Sequence, residues 1–345
     1  MNIDFHAHFY PEEYLKRLEA STGDVRIEKN EKGEKIILSM GARAGPVTPD
    51  FFDIEVRLDK IKEHRVDMQV LSSPHPGVDR FSPEESAEMS RLINNGLAQA
   101  AKKYPEHFQG LAMLPLIDTR LALKELDRAV LELGLKGISI LTNVAGKTLD
   151  SDFLLPVYAR AQALGIPIFI HPTTPLGAQV MQEWRLAIIL GFEFDIMLSA
   201  TRLAYSGILE RFPELNFVVS HLGAGLPFLA GRIDRGYHDP TCGIKTKKPT
   251  SAYLKDLYCD TVSFYQPALM MAYEFYGPER MVLGSDFPLL IGDLPGAVPS
   301  VEEMDIPEED KQKILGENVK RLLKLGTDGK VLKALMEEKA KEREL

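Results

Sequence analysis

His6 and His8 stand two residues apart at the end of the chain's first apolar run, Asn2-Ile3-Asp4-Phe5. Side chains on a β-strand alternate between faces, so on a strand both imidazoles point the same way. If that strand borders an enclosed pocket, both rings can bind one ion, and imidazole is the commonest protein ligand for a divalent transition metal. His171 closes the run Ile168-Phe169-Ile170, His221 closes Phe217-Val218-Val219-Ser220, and Asp286 closes Met281-Val282-Leu283-Gly284-Ser285. Each is ambiguous alone, because a lone strand-end histidine is ordinarily structural. Together they place metal-ligand side chains at the ends of several apolar runs, and one shared site is the simplest reading.

Neutral imidazoles with a carboxylate suit one divalent ion per chain, zinc first, with manganese, iron or cobalt as alternatives. Such an ion can bring the pKa of a coordinated water down to about 7, supplying hydroxide at neutral pH. The proton then needs a nearby base. His6, His8, His171 and Asp286 are the expected ligands, with Asp286 also a catalytic group. That leaves His221 free to move protons. Of the other histidines, His64 and His107 belong on the surface, and His238 on the surface or at an interface. His75, in Ser72-Ser73-Pro74-His75-Pro76-Gly77, follows the second apolar run and is a candidate substrate contact.

Such a site needs a frame that gathers strand ends. Short β-rich runs occur at 2–6, 67–73, 108–116, 134–142, 166–172, 215–221, 257–263 and 281–286. Segments with helical spacing separate them, at 53–64, 84–103, 120–133, 154–165, 196–211, 224–236 and 267–276, with a last one at 307–325. Near-continuous apolar strands with helical crossovers signal parallel pairing with both faces covered. The expected fold is an α/β (β/α)8 TIM barrel over 1–327, with an open doubly wound sheet as the alternative. No Gly-x-Gly-x-x-Gly follows any strand, which weakens a dinucleotide-binding reading. Residues 10–52 form an insertion after the first strand, with a hairpin-like stretch from Arg26 to Leu38. It could be a lid or pocket wall, or equally a plain surface hairpin. Residues 328–345 read as a charged helix that packs or frays.

Composition narrows the function classes. A net charge of −9 over 345 residues offers no global attraction to nucleic acid or an anionic membrane, so an anionic substrate must be drawn in locally. No apolar run approaches the ~20 residues of a membrane span, the first strand leaves no room for a signal peptide, and two cysteines suit a reducing cytosol. The expectation is a cytoplasmic protein.

At these residues the chain resembles the amidohydrolase superfamily, in the branch that includes aminocarboxymuconate-semialdehyde decarboxylase and related metal-dependent decarboxylases. The matching segments are Ile3-Asp4-Phe5-His6-Ala7-His8, Ile170-His171-Pro172, Ser220-His221-Leu222-Gly223-Ala224-Gly225 and Leu283-Gly284-Ser285-Asp286-Phe287-Pro288, with Glu55-Val56-Arg57 and Gly231-Arg232-Ile233 as further similar stretches. The resemblance implies the barrel, a mononuclear metal on the same ligands and His221 as acid/base. Strand 4 ends Ser139-Ile140-Leu141-Thr142 without the modified lysine of binuclear relatives. It also implies non-oxidative decarboxylation of a small unsaturated or aromatic acid, and a homodimer in which Arg232 reaches the neighbouring subunit's substrate. A second family arginine is missing from Lys35-Ile36-Ile37-Leu38-Ser39, and Arg43 is the candidate substitute. Trp184 falls where relatives carry an aromatic pocket residue, although packing alone would also account for it.

The residues leave two other readings. The same ion and His221 could hydrolyse a small ester, lactone or amide, and a catalytically silent barrel could serve as a binding protein. The intact ligand set argues against the last. Decarboxylation calls for a cation pair or a metal contact that orients the carboxylate, and Arg232 with Arg43 or Arg57 are the candidates. Arg57, among Asp53, Asp59 and Lys60, is expected as a helix-surface or salt-bridge residue.

Overall fold

The computed structural model describes residues 1–326 except 40, 41, 74, 176 and 182, with the backbone alone over 42–45. The charged helix expected over 328–345 lies outside the described residues. Each apolar run forms a strand: β1 (Ile3–His8), β2 (Met68–Ser72), β3 (Phe108–Met113), β4 (Gly137–Leu141), β5 (Ile168–His171), β6 (Phe217–Val219) and β7 (Tyr258–Asp260). The eighth, β8, comes in two pieces, Met281–Val282 and Gly284–Phe287. Neighbours pair in parallel throughout. The first piece of β8 pairs with β7 and the second with β1, so the sheet returns to its first strand across the single residue Leu283. This is a (β/α)8 barrel, and the open sheet is set aside.

Side-chain alternation builds two cores. Ile3, Phe5, Met68, Val70, Leu111, Phe169, Val218, Tyr258 and Val282 pack together inside the barrel, where Val319, Leu322 and Leu323 join them. Residues of opposite parity, such as Leu71, Ala112, Ile138, Ile170 and Val219, pack in the larger cluster that includes the surrounding helices. Strict alternation from Ile3 and Phe5 would aim His6 and His8 at those helices. A β-bulge prevents this. Asp4 pairs with Gln69 but Ala7 pairs with Leu71, so β1 uses one more residue than β2 over the same stretch. Bulges re-aim side chains in this way beside active sites. His8 then shares register with Ser72, and both imidazoles face the barrel axis above Phe169.

Asp4 and Gln69 lie on the other side of the sheet, and there a correction arises. Arg57, on the helix Ile54–Glu63, is fully buried rather than at the surface. Its guanidinium donates to Gln69 Oε1 at 2.9 Å, to the Asp50 carbonyl at 2.5 Å and to the His8 carbonyl. Gln69 donates onward to Asp4 Oδ2 at 2.7 Å, and Asp4 also accepts from the Ser285 hydroxyl at 2.5 Å. The charged neighbours in sequence hid an arginine that ties β1, β2 and β8 together behind the site. Removing it would strand several buried acceptors. We expect Arg57→Met to destabilise the metal-loaded protein by about 3–5 kcal/mol in urea unfolding. A loss below ~1 kcal/mol would show that the network carries no weight.

In the insertion, the helix Glu12–Glu19 precedes a three-stranded antiparallel sheet of Val25–Lys29, Lys35–Ser39 and Ala42–Pro46. The expected hairpin is present. Arg43 pairs through its backbone with Leu38, and its side chain lies outside the described residues. A helix after β8, Leu294–Glu302, lies between the eighth apolar run and the last helical segment, where no element is expected from the sequence. Among the described residues no helix is long and apolar enough to cross a membrane.

Candidate metal centre

The barrel gathers His6, His8, His171 and Asp286 at the C-terminal ends of β1, β5 and β8, with one ligand atom from each lying within 4.8 Å of all the others. His8 Nε2 is 3.0 Å from His6 Nε2 and 2.8 Å from Asp286 Oδ1, which lies 3.2 Å from His6 Nε2. All four residues are buried. The outer nitrogen of each imidazole is engaged elsewhere. His6 Nδ1 donates to Asp260 Oδ2 at 2.6 Å, His8 Nδ1 to Ser72 Oγ at 3.2 Å and His171 Nδ1 to the Pro172 carbonyl at 2.8 Å. With the proton on Nδ1, each Nε2 lone pair is turned inward, as metal-binding histidines require. His171 Nε2 is buried with no hydrogen-bond partner. The donor set therefore fits one divalent ion.

Charge supports the same reading. Burial works against a proton on His6, but Asp260 and Asp286 outweigh it and push its pKa up to about 10. Burial also favours protonating Asp286, yet His6 and His8 hold it well below the usual carboxylate range. Burial pulls His8 down to about 4 and keeps His171 well below the usual imidazole range. Asp260 and Asp286 thus stabilise positive charge at the centre of the cluster, beside His8 and His171, which stay neutral. Its close packing depends on Gly284, where an added Cβ would lie 3.0 Å from both the His6 and Asp260 Cβ atoms.

His221 stacks on His6 with ring centroids 5.5 Å apart. Its Nδ1 lies 2.6 Å from Glu193 Oε1, and its Nε2 is buried without a partner. Its backbone N–H donates to Asp260 Oδ1 at 2.8 Å, so one carboxylate braces both His6 and His221. Burial opposes charge on His221, while Glu193 reverses that and leaves its pKa raised. Sequence reasoning missed both Asp260 and Glu193. Asp260 closes β7, and Asp286 stands one residue from the end of β8, so the strand-end position of Asp260 was a usable signal. Glu193 sits on a helix and carried none.

A cavity of about 140 Å³ opens over this cluster, floored by His171, His221 and Asp286. A hole of ~150 Å³ suffices for a benzene-sized guest. Pro46, Phe51, Ile188, Phe192, Pro288 and Leu289 make its walls largely apolar. Pro46 and Phe51 belong to the insertion, which therefore forms part of the wall. His75 lines the cavity and contacts Thr173 Oγ1 at 2.8 Å. Trp184 does not line it: two consecutive left-handed residues, Trp184 and Arg185, leave the indole 79% exposed while Arg185 joins the wall. Arg232 is exposed on the helix Leu226–His238 and touches no part of this cavity. At the end of β4, Thr142 donates to Asp195, and no lysine is present to bridge a second ion.

Comparison with known proteins agrees with this geometry. A family model described as amidohydrolase matches residues 3–325. The 2-amino-3-carboxymuconate-6-semialdehyde decarboxylase of Dictyostelium discoideum is 29% identical over 332 residues, covering 94% of this chain and 92% of its own. A gamma-resorcylate decarboxylase of Polaromonas sp. is 30% identical over 295 residues, covering 80% of this chain and 88% of its own. The solved structure of a dihydroxybenzoic acid decarboxylase from Polaromonas sp., with bound manganese and 2-nitroresorcinol, superposes with a TM-score of 0.79 at 26% identity, covering 94% of this chain and 97% of that one. With its barrel closed and its strand-end ligands gathered, the chain belongs to the amidohydrolase family.

Proposed function

We propose that the protein is a metal-dependent, non-oxidative decarboxylase of a small aromatic or unsaturated carboxylic acid. The observation that carries this reading is a ring-sized apolar cavity whose floor combines the candidate ligands with His221. The decarboxylase names of its relatives support it. His6, His8, His171 and Asp286 would hold one divalent ion, zinc by donor type, with manganese the alternative that the Polaromonas structure carries. When bound, the ion supplies Lewis-acid stabilisation of the negative charge that develops during the reaction.

The chain's own residues do the rest. As the bond between the ring carbon and the carboxylate breaks, its electron pair stays on carbon and CO2 departs. His221 lines the cavity, and its Nε2, which has no hydrogen-bond partner, delivers a proton to that carbon. Phe51, Phe192 and Leu289 exclude water, which strengthens every charge interaction on the floor. His75 contacts the substrate from the side. Arg232, pointing away from its own cavity, would meet a substrate carboxylate only from a second copy, so the active form in this reading is a cytoplasmic homodimer.

The test is a panel of hydroxybenzoic acids, muconate-like acids and lactones, offered to zinc- and manganese-loaded protein. We expect CO2 release matching substrate loss for at least one acid. Hydrolysis product without CO2 would overturn the reading and point to the ester, lactone or amide alternative.

A further inference from the structure

His221 is held from two sides. Its backbone N–H donates to Asp260, and its residue adopts a left-handed φ of 54° that fixes the direction of the side chain. Stacked on His6, the ring has its rotation set by the one hydrogen-bond partner it meets, Glu193, whose Oε1 lies 2.6 Å from Nδ1. Glu193 stands in the first turn of the helix Phe192–Tyr205, which follows β5, whereas His221 follows β6. A π-helical turn, Ala187–Gly191, immediately precedes that helix. Single π turns are frequent at functional sites, and this one leads directly into the turn that carries Phe192, in the cavity wall, and Glu193, at the histidine.

We infer that Glu193 is the positioning residue for His221, and the inference rests on His221 acting as the acid/base proposed above. An ionised carboxylate only accepts hydrogen bonds, so the nitrogen facing it must carry a proton. That assigns the Nδ1–H form to the neutral ring and turns Nε2 to the cavity floor, where it takes up or releases the mobile proton. Without Glu193 the ring is free to flip or to adopt the other tautomer, and either places the wrong nitrogen toward the substrate. The remaining carboxylates near the ring, Asp260 and Asp286, are committed to the His221 backbone with His6 and to the ligand cluster, so neither replaces it. Glu193 does not line the cavity and acts through His221 alone.

The test uses zinc-loaded full-length protein labelled with 15N-histidine, with the His221 signals identified by their loss in His221→Asn. At alkaline pH, where the ring is neutral, wild type and Glu193→Gln are expected to show the Nδ1–H form, because the glutamine oxygen still accepts. Glu193→Ala is expected to show mixed tautomers with an unchanged zinc content of one ion per chain. On an acid that turns over, Glu193→Ala should lose about 100-fold in kcat with KM within about threefold, and Glu193→Gln should recover to within about tenfold of wild type. A pure Nδ1–H form in Glu193→Ala, or kcat within threefold of wild type, overturns the inference. If no acid turns over, the tautomer measurement still decides the role of Glu193, while the proposed reaction fails separately.

Discussion

Asp286→Asn is expected to lose two to three orders of magnitude in affinity for zinc or manganese, and with the ion to lose detectable turnover. A structural zinc site contributes roughly 10–16 kcal/mol over its ligand set, so one ligand in four accounts for about 3–4 kcal/mol, or about 100- to 1000-fold. Asp286 is the one anionic ligand in the cluster, and its Oδ1 faces both His6 and His8. The amide keeps the shape and removes the charge, which separates electrostatics from packing. The measurement is competition against a chelator of known affinity, followed by elemental analysis of the dialysed protein. Full metal occupancy with full turnover in Asp286→Asn would remove the central assignment.

His221→Asn is expected to behave in the opposite way. It should keep one ion per chain and lose turnover by about 100- to 10,000-fold, the usual range for removing a general acid/base. The structure gives the reason. His221 lies beside the ligand cluster rather than within it, its Nδ1 is taken by Glu193, its Nε2 has no partner, and the residue lines the cavity. Ion content and turnover measured on the same preparation decide the matter. Loss of the ion along with turnover would make His221 a ligand and require the roles to be reassigned.

The difference between these two variants follows a division that was readable from the chain. His6, His8, His171 and Asp286 close apolar runs, and the barrel brings the ends of parallel strands to one rim whatever the loops do. The rest depended on three-dimensional facts without a local signature. Arg57 looked like a surface charge because its sequence neighbours are charged, yet the carbonyls it serves come from His8 and Asp50. Glu193 lies on a helix where a solvated glutamate is the ordinary case, and only the packing of that helix against the end of β6 brings it to His221. Trp184 was placed by resemblance, and a left-handed turn moved it out. Side chains fixed by strand geometry were legible. Those fixed by how one loop or helix lies on another were not.

The extra residue in β1 has a consequence for anyone transplanting this chemistry. Copying His-x-His at the same positions onto an unbulged first strand reproduces the donors but not their aim, because period-two alternation from Ile3 and Phe5 would turn both rings toward the outer helices. The portable unit is the whole stretch from Asp4 to His8 together with its offset against β2, in which Asp4 anchors one side of the slip and Ser72 receives His8 on the other. Deleting one residue between them would keep every letter of the histidine pair and reverse the direction in which it points. In this protein the length of the strand segment decides which way the candidate ligands face.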